Sequence, residues 1–326
     1  MSSVKVEPSC KEQIGIQRSQ IAVVIPTRNA ASDWSALASG LRMQCFPLSQ
    51  IIVIDSSSED GTAVLAEKEG FTVVRIRKED FNHGGTRQKA LEYAPWAEFV
   101  VYMTQDAILA GPDALDKLVQ PFEDPEVGMT YGRQLPRPGA GPFEAHARLF
   151  NYPANSCVRT YESRKTMGIK AAFSSNSFAA YRVTALQSVG GFPSDVIIAE
   201  DSIVSARLLM TGWKTVYQAE AQVYHSHSYN PVEEFRRYFD IGVCHHRESW
   251  MGEAFGNTNG EGLRFVKSEV RYLWPDKWYL LPEEAARTAA KLLGYKLGLY
   301  EAKLPISFSR KLSFFPGFWN NSTITR

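Results

Sequence analysis

Apolar and polar positions follow two different rhythms along the chain. The unbroken apolar runs Ile21-Ala-Val-Val-Ile25 and Ile51-Ile-Val-Ile54 have no polar face, so they read as strands buried on both sides of a sheet. Between them Trp34, Leu37, Ala38 and Leu41 recur at helical spacing, behind Ser32 as the predicted cap. A second helix runs from about Thr62 to Glu69, and Gly70 closes it. The segments 71–76 and 98–103 continue as strands, each followed by a helical stretch. This alternation predicts an α/β fold: a mostly parallel, Rossmann-like sheet flanked by helices.

The second half changes character. Segments 172–182 and 215–225 read as strands around one helix. Beyond about residue 230 the strand signal fades, and amphipathic helical segments carrying Trp and Tyr take over. The predicted organisation is a polar tail over residues 1–19, an α/β domain over 20–229 and a helical C-terminal extension over 230–326. No internal repeat or low-complexity segment interrupts it.

Composition adds little until its distribution is considered. With 44% hydrophobic and 22% charged residues, the chain is an ordinary globular one. A net charge of +1 gives no reason to expect a nucleic-acid partner. From Arg264 to Arg326, however, 11 Lys and Arg stand against 5 Asp and Glu, so the C-terminal end is locally basic. Cys10, Cys45, Cys157 and Cys244 form no C-x-x-C pair, which argues against a zinc ribbon or a disulfide scaffold and fits a reducing compartment. The polar N-terminus lacks a signal-peptide core, and no apolar run approaches the ~20 residues of a bilayer span. The expected location is cytoplasmic, with the inner face of the membrane as a variant of it.

In open α/β sheets ligands bind beyond the C-terminal ends of the strands, so the polar residues there are the ones to inspect. The first strand ends in Pro26-Thr27-Arg28-Asn29, which lacks a glycine-rich phosphate loop and offers groups for a base or ribose instead. The second ends in Asp55, placed to accept from a base N–H or a ribose hydroxyl, or simply to cap its loop. Gly84 and Gly85 open a helix whose free N–H groups favour an anion, with Arg87 or Lys89 adding charge opposite a diphosphate. The bland alternative is a glycine turn with solvated bases. Thr104-Gln105-Asp106 either caps its own loop, the more common role of a single acid after a strand, or offers a carboxylate to a hard divalent ion, Mg²⁺ or Mn²⁺, with Gln105 as a further nucleotide contact. Glu200-Asp201 either complements a helix dipole or supplies a general base. His225 and His227 sit at i, i+2, so on an extended chain only one would face the site.

Taken in order, Pro26-Thr-Arg-Asn29, Asp55 with Asp60-Gly61-Thr62, Asp106, Gly190-Gly-Phe192 and Glu200-Asp201 resemble the family 2 inverting glycosyltransferases of GT-A fold. The resemblance covers about residues 20–230. Within that family Phe81-Asn-His-Gly-Gly-Thr-Arg87, Ser174-Ser-Asn-Ser-Phe178, Gly212-Trp-Lys214 and His225-Ser-His-Ser-Tyr229 look like bacterial rhamnosyltransferases of O-antigen and polysaccharide assembly. The resemblance implies a nucleotide-diphosphate sugar donor, by this reading dTDP-β-L-rhamnose, and a saccharide acceptor that is free or lipid-linked. It makes Asp55 a base contact, Asp106 the metal ligand, His225 a second ligand and Asp201 the catalytic base, with Glu200 as its neighbour and runner-up. One departure stands out: the family's paired carboxylates appear here as Thr104-Gln105-Asp106, with a single acid.

Rival readings are a transferase of UDP- or GDP-linked sugars, a sugar-phosphate nucleotidyltransferase and a non-catalytic nucleotide-sugar-binding protein. The nucleotidyltransferase would want glycine after the first strand, where Pro26-Thr-Arg-Asn29 has none. The basic, aromatic C-terminal segment, with Trp274, Trp278, Tyr279, Phe314, Phe315, Phe318 and Trp319, has two open readings. It rests on an anionic membrane, or it packs onto the catalytic domain or forms the seam of a homo-oligomer.

Overall fold

Strand β1 (Ile21–Thr27) is the axis of the molecule. Its first five residues are fully buried, Ile21, Val23 and Ile25 in the core on one face of the sheet and Ala22 and Val24 in the core on the other. That two-sided burial is why the run needs no polar alternation. The computed structural model describes residues 15–256 and 260–320. Most of the polar tail expected over residues 1–19 therefore lies outside the described residues; Arg18, within them, is tied to Asp116 at 2.6 Å.

After β1 come α1 (Trp34–Arg42), β2 (Ile51–Ser56), α2 (Thr62–Lys68), β3 (Thr72–Ile76), α3 (His83–Ala90) and β4 (Phe99–Met103). All pairings among these four strands are parallel, and Thr27 lies in register with Asp55. The helix α1 starts after Asp33 without a side-chain cap, one residue later than the Ser32 cap predicted.

The chain continues through β5 (Ile108–Leu109), α4 (Ala114–Val119), β6 (Val127–Leu135), α5 (Pro142–Asn151), β7 (Cys157–Arg159) and α6 (Arg164–Met167). Then follow β8 (Phe178–Arg182), α7 (Val183–Ser188), α8 (Glu200–Met210) and β9 (Lys214–Tyr224). The sheet has the order β3-β2-β1-β4-β8-β6-β9-β5, with β7 added against β9. Its first four strands are parallel as expected. The sheet becomes mixed at β8, which runs antiparallel to both β4 and β6.

Two differences from the sequence reading bear on the site. Strand β8 begins at Phe178 rather than Ala172, because residues 168–172 form a 3₁₀ turn and the serines after it loop away from the sheet. Strand β6 was not foreseen, its Val127-Gly-Met-Thr-Tyr-Gly-Arg-Gln-Leu135 being broken by two glycines. Gly132 has a packing reason: a Cβ there would fall 2.3 Å from the Phe178 ring and 2.6 Å from the Ala221 carbonyl. The β6–β9 register shifts between Gly132 and Arg133, a bulge that carries Gln134 and Leu135 alongside Val223 and Tyr224.

The C-terminal extension consists of α9 (Pro231–Arg247), α10 (Ser249–Phe255), α11 (Glu261–Leu273), α12 (Leu281–Leu299) and α13 (Ile306–Leu312). Helices α9 and α12 meet backbone to backbone. A Cβ on Gly242, Gly294 or Gly298 would lie 2.1–2.3 Å from a carbonyl of the facing helix, so only glycine permits this approach. The extension folds onto the α/β domain, since Phe239, Val243 and Trp319 share one core with Ile203 and Leu209 of α8. Buried Asp240 fixes the last segment by accepting the backbone N–H groups of Phe314 and Phe315 at 2.9 and 3.2 Å. The packing reading of the C-terminal aromatics therefore holds for Phe315, Phe318 and Trp319. Trp274 and Trp278, each 65% exposed, and Tyr279, 63% exposed, remain on the surface. Among the described residues no helix is long and apolar enough to cross a membrane. Cys157 and Cys244 are free thiols, and Cys45 is disulfide-bonded.

Candidate active site

A cavity of about 980 Å³ opens where the C-terminal ends of β1, β4 and β6 face the helical extension. Asp106, at the turn after β4, is one wall of it; His225 and His227, just beyond β9, reach the same carboxylate. His225 Nε2 lies 3.3 Å and His227 Nε2 3.6 Å from Asp106 Oδ2. The three ligand atoms all fall within 4.8 Å of one another. The expectation that only one histidine faces the site is thus corrected. Strand β9 ends at Tyr224, and the two-residue period of an extended chain does not carry into the loop that follows.

The chemistry of this trio favours a cation. Gln134 Oε1 takes a hydrogen bond from Arg148, and its Nε2 donates to Ser175 Oγ at 2.9 Å, which fixes the amide's orientation. His225 Nδ1, 2.9 Å from the same Oε1, must therefore be the donor. Burial pushes both imidazoles below the usual histidine range, His227 to about 3. A neutral His225 with its proton on Nδ1 turns the bare Nε2 lone pair toward Asp106 Oδ2. Two acceptors face one another there, and a metal ion between them resolves the repulsion.

Asp201 and Glu200 occupy the first turn of α8, after Ala199, whose φ of +67° places a non-glycine residue in the left-handed region. Their environments differ. Glu200 is buried and accepts from Arg87 at 2.9 Å and from the Asn176 amide at 3.1 Å. Burial, the largest single influence, works against its charge, but the Arg87 guanidinium, the His83 ring and the Asn176 amide together outweigh it and hold the carboxyl below the usual range. Asp201 lacks such a partner. Its Oδ2 accepts the Asn176 N–H at 2.9 Å and its Oδ1 the Ser202 N–H at 2.7 Å. Burial and the negative Glu200 beside it push Asp201 up to about 6. Two adjacent acids are thus driven apart, one locked as a permanent anion and one made basic enough to accept a proton near neutrality.

The remaining predicted residues fall into two groups. Pro26, Thr27 and Arg28 line the cavity. Asn29 turns away, its side chain accepting the Glu59 N–H at 2.9 Å, and Asp60 and Thr62 receive the N–H groups of Ala31 and Ala30. These contacts knit the β1 and β2 loops together. Asp55 is 2% exposed, accepts the Ser58 N–H at 3.0 Å, and keeps a buried Oδ1 without a partner. Gln105 grips the Arg28 backbone through both ends of its amide, at 2.7 and 3.1 Å. Arg87 is 4% exposed and committed to Glu200.

The glycine pair has a packing and capping role in the structure. Asn82 caps α3 by accepting the Gly85 N–H at 2.8 Å, and a Cβ on Gly84 would come 1.8 Å from the Pro193 carbonyl. These glycines let the helix approach the 190s loop, and the Gly85 N–H is taken up by the Asn82 cap. Sequence reasoning also missed Gln134, Arg148, Asn176 and Arg237, all of which line the cavity. Asn176 lay in a stretch singled out only through the family resemblance. The other three carry no motif.

Comparison with known proteins gives the family and the fold. The model of the glycosyl transferase family 2 matches residues 22–190. The O-antigen chain rhamnosyltransferase RfbN of Salmonella typhimurium (strain LT2) is 44% identical over 303 residues, spanning 93% of this chain and 96% of that protein. WbaN of Salmonella anatum, also an O-antigen chain rhamnosyltransferase, is 43% identical over 300 residues, spanning 92% and 95%. Among solved structures, the mannosyltransferase PcManGT of Pyrobaculum calidifontis, in complex with GDP-Man and Mn²⁺, superposes with a TM-score of 0.55 at 20% identity. It covers 96% of this chain and 89% of its own, a likeness of fold.

Proposed function

The chain belongs to glycosyl transferase family 2, and from that premise we propose that it transfers L-rhamnose from dTDP-β-L-rhamnose onto a saccharide hydroxyl in O-antigen assembly, inverting the anomeric centre. The rhamnosyl reading rests on the two relatives at 43–44% identity over almost the whole chain. The observation that carries the chemistry is that one cavity holds both the Asp106–His225–His227 cluster and Asp201, raised to about 6.

Asp201 serves as general base, taking the proton of the acceptor hydroxyl as that oxygen attacks the sugar carbon. Attack from the face opposite the leaving diphosphate inverts the configuration, and the transition state resembles the oxocarbenium ion of glycoside hydrolysis. Asn176 holds Asp201 through its backbone and Glu200 through its side chain, so both acids keep their orientation. Asp106, His225 and His227 would hold a divalent ion, which supplies charge stabilisation to the departing diphosphate. One carboxylate and two imidazoles suit Mn²⁺ better than Mg²⁺, which prefers an all-oxygen shell. Pro26, Thr27 and Arg28 face the nucleotide, and the unpartnered Oδ1 of Asp55 is the acceptor left for a base N–H.

The acceptor in this reading is lipid-linked, and exposed Trp274, Trp278 and Tyr279, with Lys277 among them, touch the membrane that carries it. Co-sedimentation with anionic vesicles tests the contact. Loss of binding in a Trp274→Ser/Trp278→Ser double variant supports it, and a self-association constant changed by the same variant would assign the aromatics to a dimer seam.

The deciding experiment for the activity measures dTDP release from dTDP-rhamnose with Mn²⁺, with Mg²⁺ and with EDTA, beside UDP- and GDP-sugars. Metal-dependent release from dTDP-rhamnose in the presence of an O-antigen acceptor is expected. Preference for a UDP- or GDP-sugar would overturn the donor, and a chain that binds no nucleoside diphosphate would sink the transferase reading.

A further inference from the structure

The C-terminal helices send three cations to the cavity wall: Arg237 from α9, and Arg287 and Lys291 from α12. Two of them are neutralised. Arg287 and Lys291 both approach Glu234, at 3.2 and 3.5 Å, and Arg287 also pairs with Glu283 at 2.8 Å. The cavity's other deep arginines are engaged as well, Arg148 on Gln134 and Arg87 on Glu200. Arg237 differs. Among the described residues no carboxylate lies within ion-pair distance of it. What positions it is a ring: its guanidinium lies 5.7 Å from the centre of Tyr229.

That ring links it to the cation cluster. Tyr229 stacks on His227, centroids 5.3 Å apart and planes inclined by 30°, and His227 reaches Asp106. A half-buried guanidinium without an ion-pair partner, one aromatic stack away from the Asp106–His225–His227 cluster, completes a site for an anion with more oxygens than a single ion can satisfy. The planar fork of five N–H donors suits phosphate oxygens.

We propose that Arg237 receives a diphosphate, so that the helical extension contributes a binding residue to a site otherwise built on the α/β domain. The inference rests on the transferase reading above and deepens it. Two sources share the chemistry: the nucleoside diphosphate of the donor, and the diphosphate that would link a saccharide acceptor to a lipid. The cluster at Asp106 favours the first, since the metal and Arg237 would then grip the same group. As the sugar–phosphate bond breaks, the electron pair stays with the phosphate oxygen, and a fixed guanidinium stabilises that added charge.

The test compares wild type with Arg237→Ala and Arg237→Lys, all confirmed folded by circular dichroism. Calorimetry follows dTDP, dTMP and thymidine with Mn²⁺. Charge-assisted hydrogen bonds of this kind are worth roughly 1.5–3 kcal/mol, so dTDP binding should weaken by about 10–100-fold in Arg237→Ala. Thymidine should be unaffected, and Arg237→Lys should recover part of the loss. Unchanged dTDP affinity with a raised KM for a diphosphate-linked acceptor, but not for a free oligosaccharide, assigns the residue to the second source. Equal affinities for dTDP in all three proteins, with no change in either acceptor, overturn the proposal. A wild type that binds no nucleoside diphosphate condemns the transferase reading itself, which separates the two failures.

Discussion

The backbone N–H of Asn176 lies 2.9 Å from Asp201 Oδ2 while its side-chain amide lies 3.1 Å from Glu200 Oε1. One residue thus sets the geometry of two adjacent acids, and Tyr181 fixes that residue in turn by donating to Asn176 Oδ1 at 2.7 Å. The arrangement separates a charged, locked glutamate from an aspartate with proton-accepting capacity.

Asp201 should govern the pH dependence of transfer. A base works only when ionised, and its carboxyl is pushed up to about 6 by burial and by Glu200. The rate kcat/KM should therefore fall about tenfold per unit below pH 6 and level off above it. Asp201→Asn should lower kcat by roughly 10²–10⁴-fold while dTDP still binds. A variant retaining wild-type turnover would remove Asp201 from the reaction.

Gln134 should matter to metal binding although it touches no metal itself. It accepts the Nδ1 proton of His225 and so leaves Nε2 free as a ligand. Gln134→Ala should weaken Mn²⁺ binding by about 10–100-fold, the usual effect of losing such a partner. Asp106→Asn, which removes the ligand charge, should weaken it further. Titration of Mn²⁺ by electron paramagnetic resonance checks both, and an unchanged affinity in Gln134→Ala would show that His225 needs no such orientation.

Arg87 should behave as a structural partner. Removing it leaves Glu200 charged and buried, which costs about 3–5 kcal/mol where a buried pair is broken. Urea denaturation of Arg87→Met should show that loss, and the double variant Arg87→Met/Glu200→Gln should recover part of it. If Arg87→Met is as stable as wild type yet binds dTDP poorly, the arginine belongs to the diphosphate instead.

Asp240 should make stability fall as pH rises. Burial pushes this carboxyl up to about 7 from an unfolded value of 3.8, so between those limits the folded state binds the extra proton. Stability is therefore greatest below pH 4 on this account and declines through pH 7. Asp240→Asn keeps an oxygen for the N–H groups of Phe314 and Phe315 and should flatten that decline. A wild-type melting temperature that climbs by the same amount as the variant's over this range would falsify the assignment.

The strands that place the site were legible because burial on both faces leaves an unmistakable record. Ile21–Ile25 and Ile51–Ile54 have no polar alternation, and the acids behind such runs fall at the binding edge whatever the rest of the chain does. Asp106, behind the buried run of β4, was therefore identifiable as a candidate from local sequence, whereas the Glu200-Asp201 pair, in the first turn of α8, was singled out by its helix and by the family resemblance. Strand β6 was not, because its glycines answer to Phe178 and Ala221, residues distant in the chain. The same holds for Gln134, which becomes important only where the bulge at Gly132 sets it beside His225.

Sequence by itself determined the α/β class, the order of the strands' polar tips and the family. Tertiary structure alone decided how those tips are used. It committed Glu200 to Arg87 and left Asp201 without a cation, so two neighbouring acids of near-equal intrinsic acidity came to differ. It turned both His225 and His227 onto Asp106, and it sealed Gly84 and Gly85 against the 190s loop. The physical reason is common to all of these. Strand and helix formation follow the local pattern of apolar side chains, whereas charge, protonation and accessibility depend on which groups burial brings within a few ångströms from elsewhere in the chain.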